Sequence, residues 1–91
     1  MYKLKTTVIN NSGLHARPAS KFVNLAKNYE SEITIRRMDE DGDEVDAKSI
    51  VFLLSLGIGK GTEVEISAKG DDEREAVDAL VALVESFDES H

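Results

Sequence analysis

The sequence has no cysteine and no tryptophan, one proline, two histidines and five aromatic residues, three of them Phe and two Tyr. Without cysteine the chain can form neither a disulfide nor a thiolate metal site, so side-chain packing must stabilise the fold. Two histidines are too few for a typical structural metal site, and we expect no bound metal. The few aromatic residues also exclude a platform for stacking nucleic-acid bases.

Long apolar runs are absent as well. The run Ile50 to Leu54 has five residues and the longest, residues 79–84, has six, whereas a membrane-spanning helix needs about 20. No continuous apolar stretch follows the first lysines, so the sequence does not indicate a secretory signal. We therefore expect no membrane insertion and a cytoplasmic location.

Charge is distributed unevenly along the chain. The formal net charge is −7, but residues 1–37 carry +5 and residues 38–91 carry −12. A strongly acidic domain repels phosphates over most of its surface, which argues against nucleic-acid binding. The basic first part is compatible with a local site for one small anion or for an acidic partner protein.

Hydrophobic periodicity predicts elements in the order β-α-β-β-α-β-α. The predicted strands, which alternate apolar and polar residues, are 2–9, 32–37, a short segment at Val45, and 62–69. The predicted helices are 16–29, a short one within 46–55, and 71–87. Strands with one apolar face and helices with one apolar stripe indicate a mostly antiparallel sheet covered on one side. We predict a single α+β domain over residues 1–91, an open-faced β-sandwich of four strands and three helices.

The junction between the first strand and the first helix carries the strongest chemical signal. His15 lies just before the helix, Arg17 follows two residues later, and Pro18 restrains the backbone of Arg17. The unpaired amides of a helix N-terminus and a nearby guanidinium form an anion site. Imidazole is a nucleophile near neutral pH that can accept and return a phosphoryl group. The residues favour reversible phosphorylation of His15, although local chemistry alone is also compatible with a surface turn residue.

Three segments carry a family resemblance. Residues 13–20, G-L-H-A-R-P-A-S, resemble the active-site signature of the HPr family, the histidine phosphocarriers of the bacterial phosphoenolpyruvate:sugar phosphotransferase system. Residues 47–61, AKSIVFLLSLGIGKG, are similar to that family's regulatory-serine segment. Residues 70–87, GDDEREAVDALVALVESF, are similar to its C-terminal helix. The resemblance covers essentially the whole chain.

The resemblance implies a role for each residue of the first segment. His15 would receive a phosphoryl group on Nδ1 from the phosphohistidine of Enzyme I and pass it to the IIA component of a sugar permease. Arg17 would pair with the phosphoryl oxygens, and the amides of Ala16 and Arg17 would help to hold the same group. The protein would be a substrate of other enzymes rather than a catalyst, and it would need no cofactor.

Ser49 has two interpretations. Its position before an apolar run is typical of a helix N-cap. The resemblance implies a regulatory serine, phosphorylated by an ATP-dependent serine kinase, reversed by a phosphorylase, and recognised by a catabolite-control transcription factor. A phosphate there would add about −2 charge beside the docking face. It should therefore hinder binding to Enzyme I, which in this family presents an acidic surface.

Residues Ile50–Leu54 cannot all point inward from a short helix. We expect Phe52 and Leu54, together with Ile50, to form an exposed apolar docking patch near His15. For Leu54 a core position is an equally good interpretation. Basic residues are expected to rim the patch and steer acidic partners; these are Arg17, Lys21, Lys27, Lys48 and Lys60.

The acidic link at residues 38–44, MDEDGDE, is longer than in the family. Its glycine has the wrong offset for an EF-hand loop, so we expect a solvated hairpin rather than a calcium site. The main alternative function is a regulatory binding module of the same fold, in catabolite repression or a nitrogen-related branch. The presence of His15 with Arg17 argues against it, because regulators of that type replace the histidine. We expect a monomer, since a carrier must offer one face to successive partners.

Overall fold

The computed structural model describes residues 1–39 and 44–87. Its elements are β1 (Tyr2–Thr7), α1 (Ala16–Ala26), β2 (Glu32–Arg37), β3 (Val45–Asp46), α2 (Ile50–Ser55), β4 (Glu63–Lys69) and α3 (Glu73–Ser86). This order confirms the predicted sequence of strands and helices. Of the acidic link at 38–44, residues 40–43 lie outside the described part of the chain.

The four strands form one antiparallel sheet in the order β1-β4-β2-β3. Strand β4 therefore lies between β1 and β2. Its residues Val64, Ile66 and Ala68 are buried. Glu65 is also buried, because it lies across from Lys5 on one neighbouring strand and Arg36 on the other. Its carboxylate accepts a hydrogen bond from Arg36 Nε at 3.0 Å.

The long helices bury one apolar stripe each, as the periodicity predicts. The buried residues are Ala19, Phe22, Val23 and Ala26 on α1, and Ala76, Val77, Leu80 and Val84 on α3. Val81 and Phe87 are half-buried and pack against the same core. Among the described residues, no helix is long and apolar enough to cross a bilayer.

The end of α1 differs from the prediction, whereas the start of α2 agrees with it. Helix α1 ends at Ala26 rather than at residue 29, because Asn28 and Tyr29 donate to the carbonyls of Leu25 and Ala26, three residues back, and tighten the chain into a turn. Helix α2 begins at Ile50, directly after Ser49, as the predicted N-cap at Ser49 implies.

Asp46 separates β3 from the start of α2. Asp46 still belongs to β3, where it lies across from Thr34. Its carboxylate accepts a hydrogen bond from the Lys48 amide at 2.9 Å, which turns the chain before the helix can begin.

Asp72 joins the start of α3 to the turn after α1. It is the N-cap residue of α3, but its side chain does not cap its own helix. Instead, its carboxylate accepts hydrogen bonds from the Glu30 amide at 2.9 Å, the Ser31 amide at 3.0 Å and the Ser31 hydroxyl. These donors lower the pKa of Asp72, the Ser31 hydroxyl most of all.

Candidate functional site

The loop before His15 is fixed by contacts with the segment that follows α2. The Leu14 amide donates to the carbonyl of Ile58 at 3.0 Å. The Asn10 side chain donates to the Gly13 carbonyl at 2.9 Å, and the Gly13 amide donates to the Asn10 carbonyl at 3.1 Å. Leu14 and Ile58 are each 1% exposed. The backbone that enters His15 is therefore held at several points.

His15 is the N-cap residue of α1, with an extended backbone at φ −128° and ψ 160°. Its ring makes no capping hydrogen bond, and the residue is exposed. The imidazole is therefore available to a partner protein rather than used to close the helix.

Ala16 has φ +52°, a left-handed conformation that no other non-glycine residue adopts in the described part of the chain. Such a conformation costs about 1–3 kcal/mol and persists only when the surrounding structure enforces it. The strain lies between His15 and Arg17. Backbone strain is thus concentrated at the residue that follows the histidine.

The N-terminus of α1 has the electrostatic properties of an anion site. Its first amides have no intrahelical acceptor, and those of Ala16 and Arg17 are the nearest to His15 along the chain. Pro18 has no N–H to contribute. No acidic residue lies in the first turn, so no carboxylate competes with an incoming dianion. The Arg17 side chain is exposed there.

Helix α2 presents apolar side chains to solvent. The exposed fractions are 37% for Ile50, 71% for Val51, 55% for Phe52 and 41% for Leu54, and we call these four residues the α2 patch. The exposure of Phe52 and Leu54 is confirmed, whereas Leu53 is fully buried.

Val51, the most exposed of these residues, is not among the predicted docking residues. The sequence does contain a signal for its exposure, because Val51 and the polar Ser55 are four residues apart and share one helix face, away from Leu53.

Ser49 is confirmed as the N-cap of α2, and its hydroxyl accepts a hydrogen bond from the Phe52 amide at 3.4 Å. The residue is half-buried. Helices α1 and α2 contact each other.

The predicted basic residues have different environments. Lys21 and Lys27 are exposed, and Lys27 is the C-cap residue of α1. The amine of Lys48 donates to the Tyr29 carbonyl at 2.7 Å, which ties the start of α2 to the end of α1. Lys60 donates to the Asn11 side chain at 3.3 Å. The steering role of these lysines stays a prediction.

Comparison with known proteins identifies the family. A family model described as the PTS HPr component phosphorylation site matches residues 2–86. The chain belongs to the HPr family. It is 44% identical to the phosphocarrier protein HPr of Cupriavidus necator, over 92% of this chain and 91% of that protein.

Other HPr relatives carry different names. The chain is 41% identical to the phosphocarrier protein NPr of Proteus mirabilis, over 93% of each chain. It is 47% identical to the HPr-like protein Crh of Halalkalibacterium halodurans, over 91% of this chain and 88% of that protein.

The fold is that of solved HPr structures. The crystal structure of HPr-C-His from Thermoanaerobacter tengcongensis superposes with a TM-score of 0.88 at 45% identity, covering 94% of this chain and 93% of that one. An HPr dimer from the same organism matches with a TM-score of 0.72, also at 45% identity, over 94% and 95% of the two chains. The predicted open-faced α+β sandwich is confirmed.

Proposed function

We propose that this HPr-family protein carries a phosphoryl group on Nδ1 of His15, received from phosphorylated Enzyme I and delivered to IIA components of sugar permeases. The observation that carries the proposal is the position of His15. Its exposed ring makes no helix-capping bond, and it lies beside a helix N-terminus without acidic residues and beside Arg17.

The chemistry is an exchange between two imidazoles. The lone pair of Nδ1 attacks phosphorus, the N–P bond of the donor phosphohistidine breaks, and its electron pair returns to the donor ring. In the transfer to the IIA component, phosphorylated His15 is the donor: the N–P bond at His15 breaks, and its electron pair returns to the His15 ring. Because the two N–P bonds are similar, positioning and neutralisation of charge dominate the barrier.

Arg17 and the amides of Ala16 and Arg17 would neutralise the transferred dianion. A hydrogen bond to a charged group contributes about 1.5–3 kcal/mol. No cofactor takes part, and the protein acts as a covalently modified substrate of its partners. The strain at Ala16 fits a backbone that must present amides and ring together.

The α2 patch is the proposed docking surface for Enzyme I and the IIA components, with Arg17, Lys21 and Lys27 as basic residues around it. Exposed apolar side chains on a short helix lose their water contact when a partner covers them. Phosphorylation of Ser49 by a serine kinase would place about −2 charge directly before Ile50, the first residue of this surface. It should repel an acidic partner, while a catabolite-control transcription factor could read the modified form.

A regulatory binding module of the same fold is the second candidate. The 47% identity with Crh supports it, because a solved Crh structure is described as a catabolite repression HPr, and the α2 patch could serve such a role without any transfer. The relative named phosphocarrier protein NPr supports a carrier that serves a branch other than sugar uptake.

We further propose that the carrier works as a cytoplasmic monomer. Light scattering on the purified protein would test the oligomeric state, and a stable dimer would contradict this proposal.

Onward transfer separates the two candidates. Radiolabelled phosphoenolpyruvate, Enzyme I and an excess of a IIA protein are combined with the chain or with the His15→Ala variant. We expect label on the IIA protein only when His15 is present. If the chain is labelled but the IIA protein is not, despite transfer through a known HPr, the carrier function is refuted.

A further inference from the structure

Arg37, the last residue of β2, binds the segment that follows α2. Its Nη1 donates to the carbonyls of Leu56 at 3.0 Å and Gly57 at 3.2 Å. The other side of the same guanidinium donates to both carboxylate oxygens of Asp39, from Nε at 3.0 Å and from Nη2 at 2.9 Å. The Arg37 side chain is 19% exposed. One side chain thus joins the end of β2 to the end of α2.

The end of α2 requires such a partner. The helix has six residues, and Leu56 is its C-cap residue. The last carbonyls of a helix have no intrahelical donor, and a cation beside them is favourable. The last turn of α2 has no basic residue of its own. The guanidinium of Arg37 therefore supplies a charge and a donor that the helix itself does not contain.

The segment held by Arg37 leads directly to the histidine loop. Ile58 follows Gly57, and its carbonyl accepts the hydrogen bond from the Leu14 amide at 3.0 Å. The contact is tight, because Leu14 and Ile58 are both buried. Leu14 is the residue before His15. A displacement of residues 56–58 would therefore be transmitted to the N-cap of α1.

We propose that Arg37 is a positioning residue for phosphotransfer at His15, acting through the carbonyls of residues 56–58 and the Leu14 amide. The inference rests on the proposed carrier function and goes beyond it, because Arg37 belongs to none of the segments assigned to chemistry or docking. Misplacement of a reacting group lowers the rate of a transfer step more than the affinity for the partner.

Arg36 provides a matched control. It is the preceding residue on the same strand, it has the same side chain, and it forms an ion pair with Glu65 at 3.0 Å. Successive residues of a strand point to opposite faces of the sheet, so Arg36 does not share the contacts of Arg37 with the α2 segment. Replacing either arginine by glutamine removes one positive charge, together with the ion pair to Glu65 for Arg36 and to Asp39 for Arg37.

The experiment compares Arg37→Gln, Arg37→Lys and Arg36→Gln with the unaltered chain. Steady-state phosphorylation by Enzyme I gives kcat and KM for each carrier, and NMR gives the hydrogen-exchange rate of the Leu14 amide. For Arg37→Gln we expect kcat to fall about three- to tenfold with KM within about twofold, since alignment rather than docking is lost. The Leu14 amide should exchange faster. Arg37→Lys keeps a donor, so its kcat and its Leu14 exchange rate should lie between those of Arg37→Gln and the unaltered chain. Arg36→Gln should match the unaltered chain in both.

Three results would overturn the proposal. Equal losses in Arg37→Gln and Arg36→Gln would assign the effect to general stability, and a rise in KM alone would make Arg37 a docking contact. Unchanged exchange of the Leu14 amide in Arg37→Gln would remove the structural link. This last measurement uses unphosphorylated protein, so it decides the matter even if the chain accepts no phosphoryl group, a result that would refute the proposed function separately.

Discussion

A β-carbon on Gly13 would lie 2.3 Å from the carbonyl oxygen of Ile58, so the backbone of the histidine loop passes directly over the segment that follows α2. Gly13 also has φ +63°, a conformation that other residues adopt only at a cost. Both the close approach and the conformation require glycine two residues before His15. The loop that leads into His15 is therefore supported by a segment that is distant along the chain.

Replacing Gly13 by alanine should destabilise the protein severely. The left-handed backbone costs an alanine about 1–3 kcal/mol. The shift of backbone needed to separate the new β-carbon from the Ile58 carbonyl oxygen adds to that cost. We expect the free energy of unfolding in urea to fall by about 2–4 kcal/mol. Gly59→Ala is the control, because a β-carbon there meets nothing within 4 Å. Similar losses in both variants would show that the contact with Ile58 is unimportant.

The acid side of the stability curve should depend on Asp72. Its pKa is lowered in the folded state, chiefly by the Ser31 hydroxyl and also by the Glu30 and Ser31 amides. A carboxylate with a lowered folded pKa stabilises the fold above its unfolded pKa of about 3.9, and that contribution disappears as pH falls through the folded value. Stability should therefore decline as pH is lowered from about 5.

Asp72→Asn removes this titration and isolates its effect. In urea, the free energy of unfolding of the variant should be lower than that of the unaltered chain at neutral pH. The difference between the two should shrink below pH 4. Asp71→Asn removes the same charge at an exposed neighbour and serves as the control. A difference from the unaltered chain that is constant with pH would contradict the account.

Phe52→Ala tests the α2 patch as a docking surface. The side chain is 55% exposed, so its removal should change the free energy of unfolding by less than about 1 kcal/mol. Loss of an apolar contact at the centre of an interface should raise KM for Enzyme I by about tenfold. Leu53→Ala, at the fully buried neighbour, should instead cost about 2–5 kcal/mol of stability. An unchanged KM for Phe52→Ala would exclude the patch from docking.

Substitutions at Ser49 separate its capping role from its regulatory role. Aspartate is itself a good N-cap, so Ser49→Asp should fold normally while its charge weakens docking to an acidic partner. Ser49→Ala should lose up to about 1 kcal/mol of stability and dock as before. The rise in KM for Ser49→Asp should diminish at high salt, because ions screen exposed charges. A KM that rises equally in both variants would assign the effect to the cap.

The sequence predicts the elements whose burial is periodic. The stripes of α1 and α3 and the strand at Glu32–Arg37 follow from local spacing, because amphipathic segments have one way to face a core. The candidate site at His15 is predictable for a similar reason, since the histidine, the arginine and the helix start are neighbours in the chain.

Contacts that depend on the order of the strands are not predictable from local pattern. Glu65 is buried because β4 lies between two other strands, and periodicity alone does not give that order. The contact of Arg37 with Leu56 spans 19 residues, and nothing near Arg37 in the sequence indicates it. The bond from Leu14 to Ile58 likewise joins segments that are distant along the chain.

The central claim is that His15 carries the phosphoryl group, and the most direct measurement is the position of phosphate after incubation with Enzyme I and phosphoenolpyruvate. Mass spectrometry under alkaline conditions preserves phosphohistidine and locates it, and NMR of the labelled ring distinguishes Nδ1 from Nε2. We predict one acid-labile phosphate on Nδ1 of His15 that is absent from His15→Ala. No phosphate from a demonstrably active cognate Enzyme I, or phosphate retained in His15→Ala, would contradict the account.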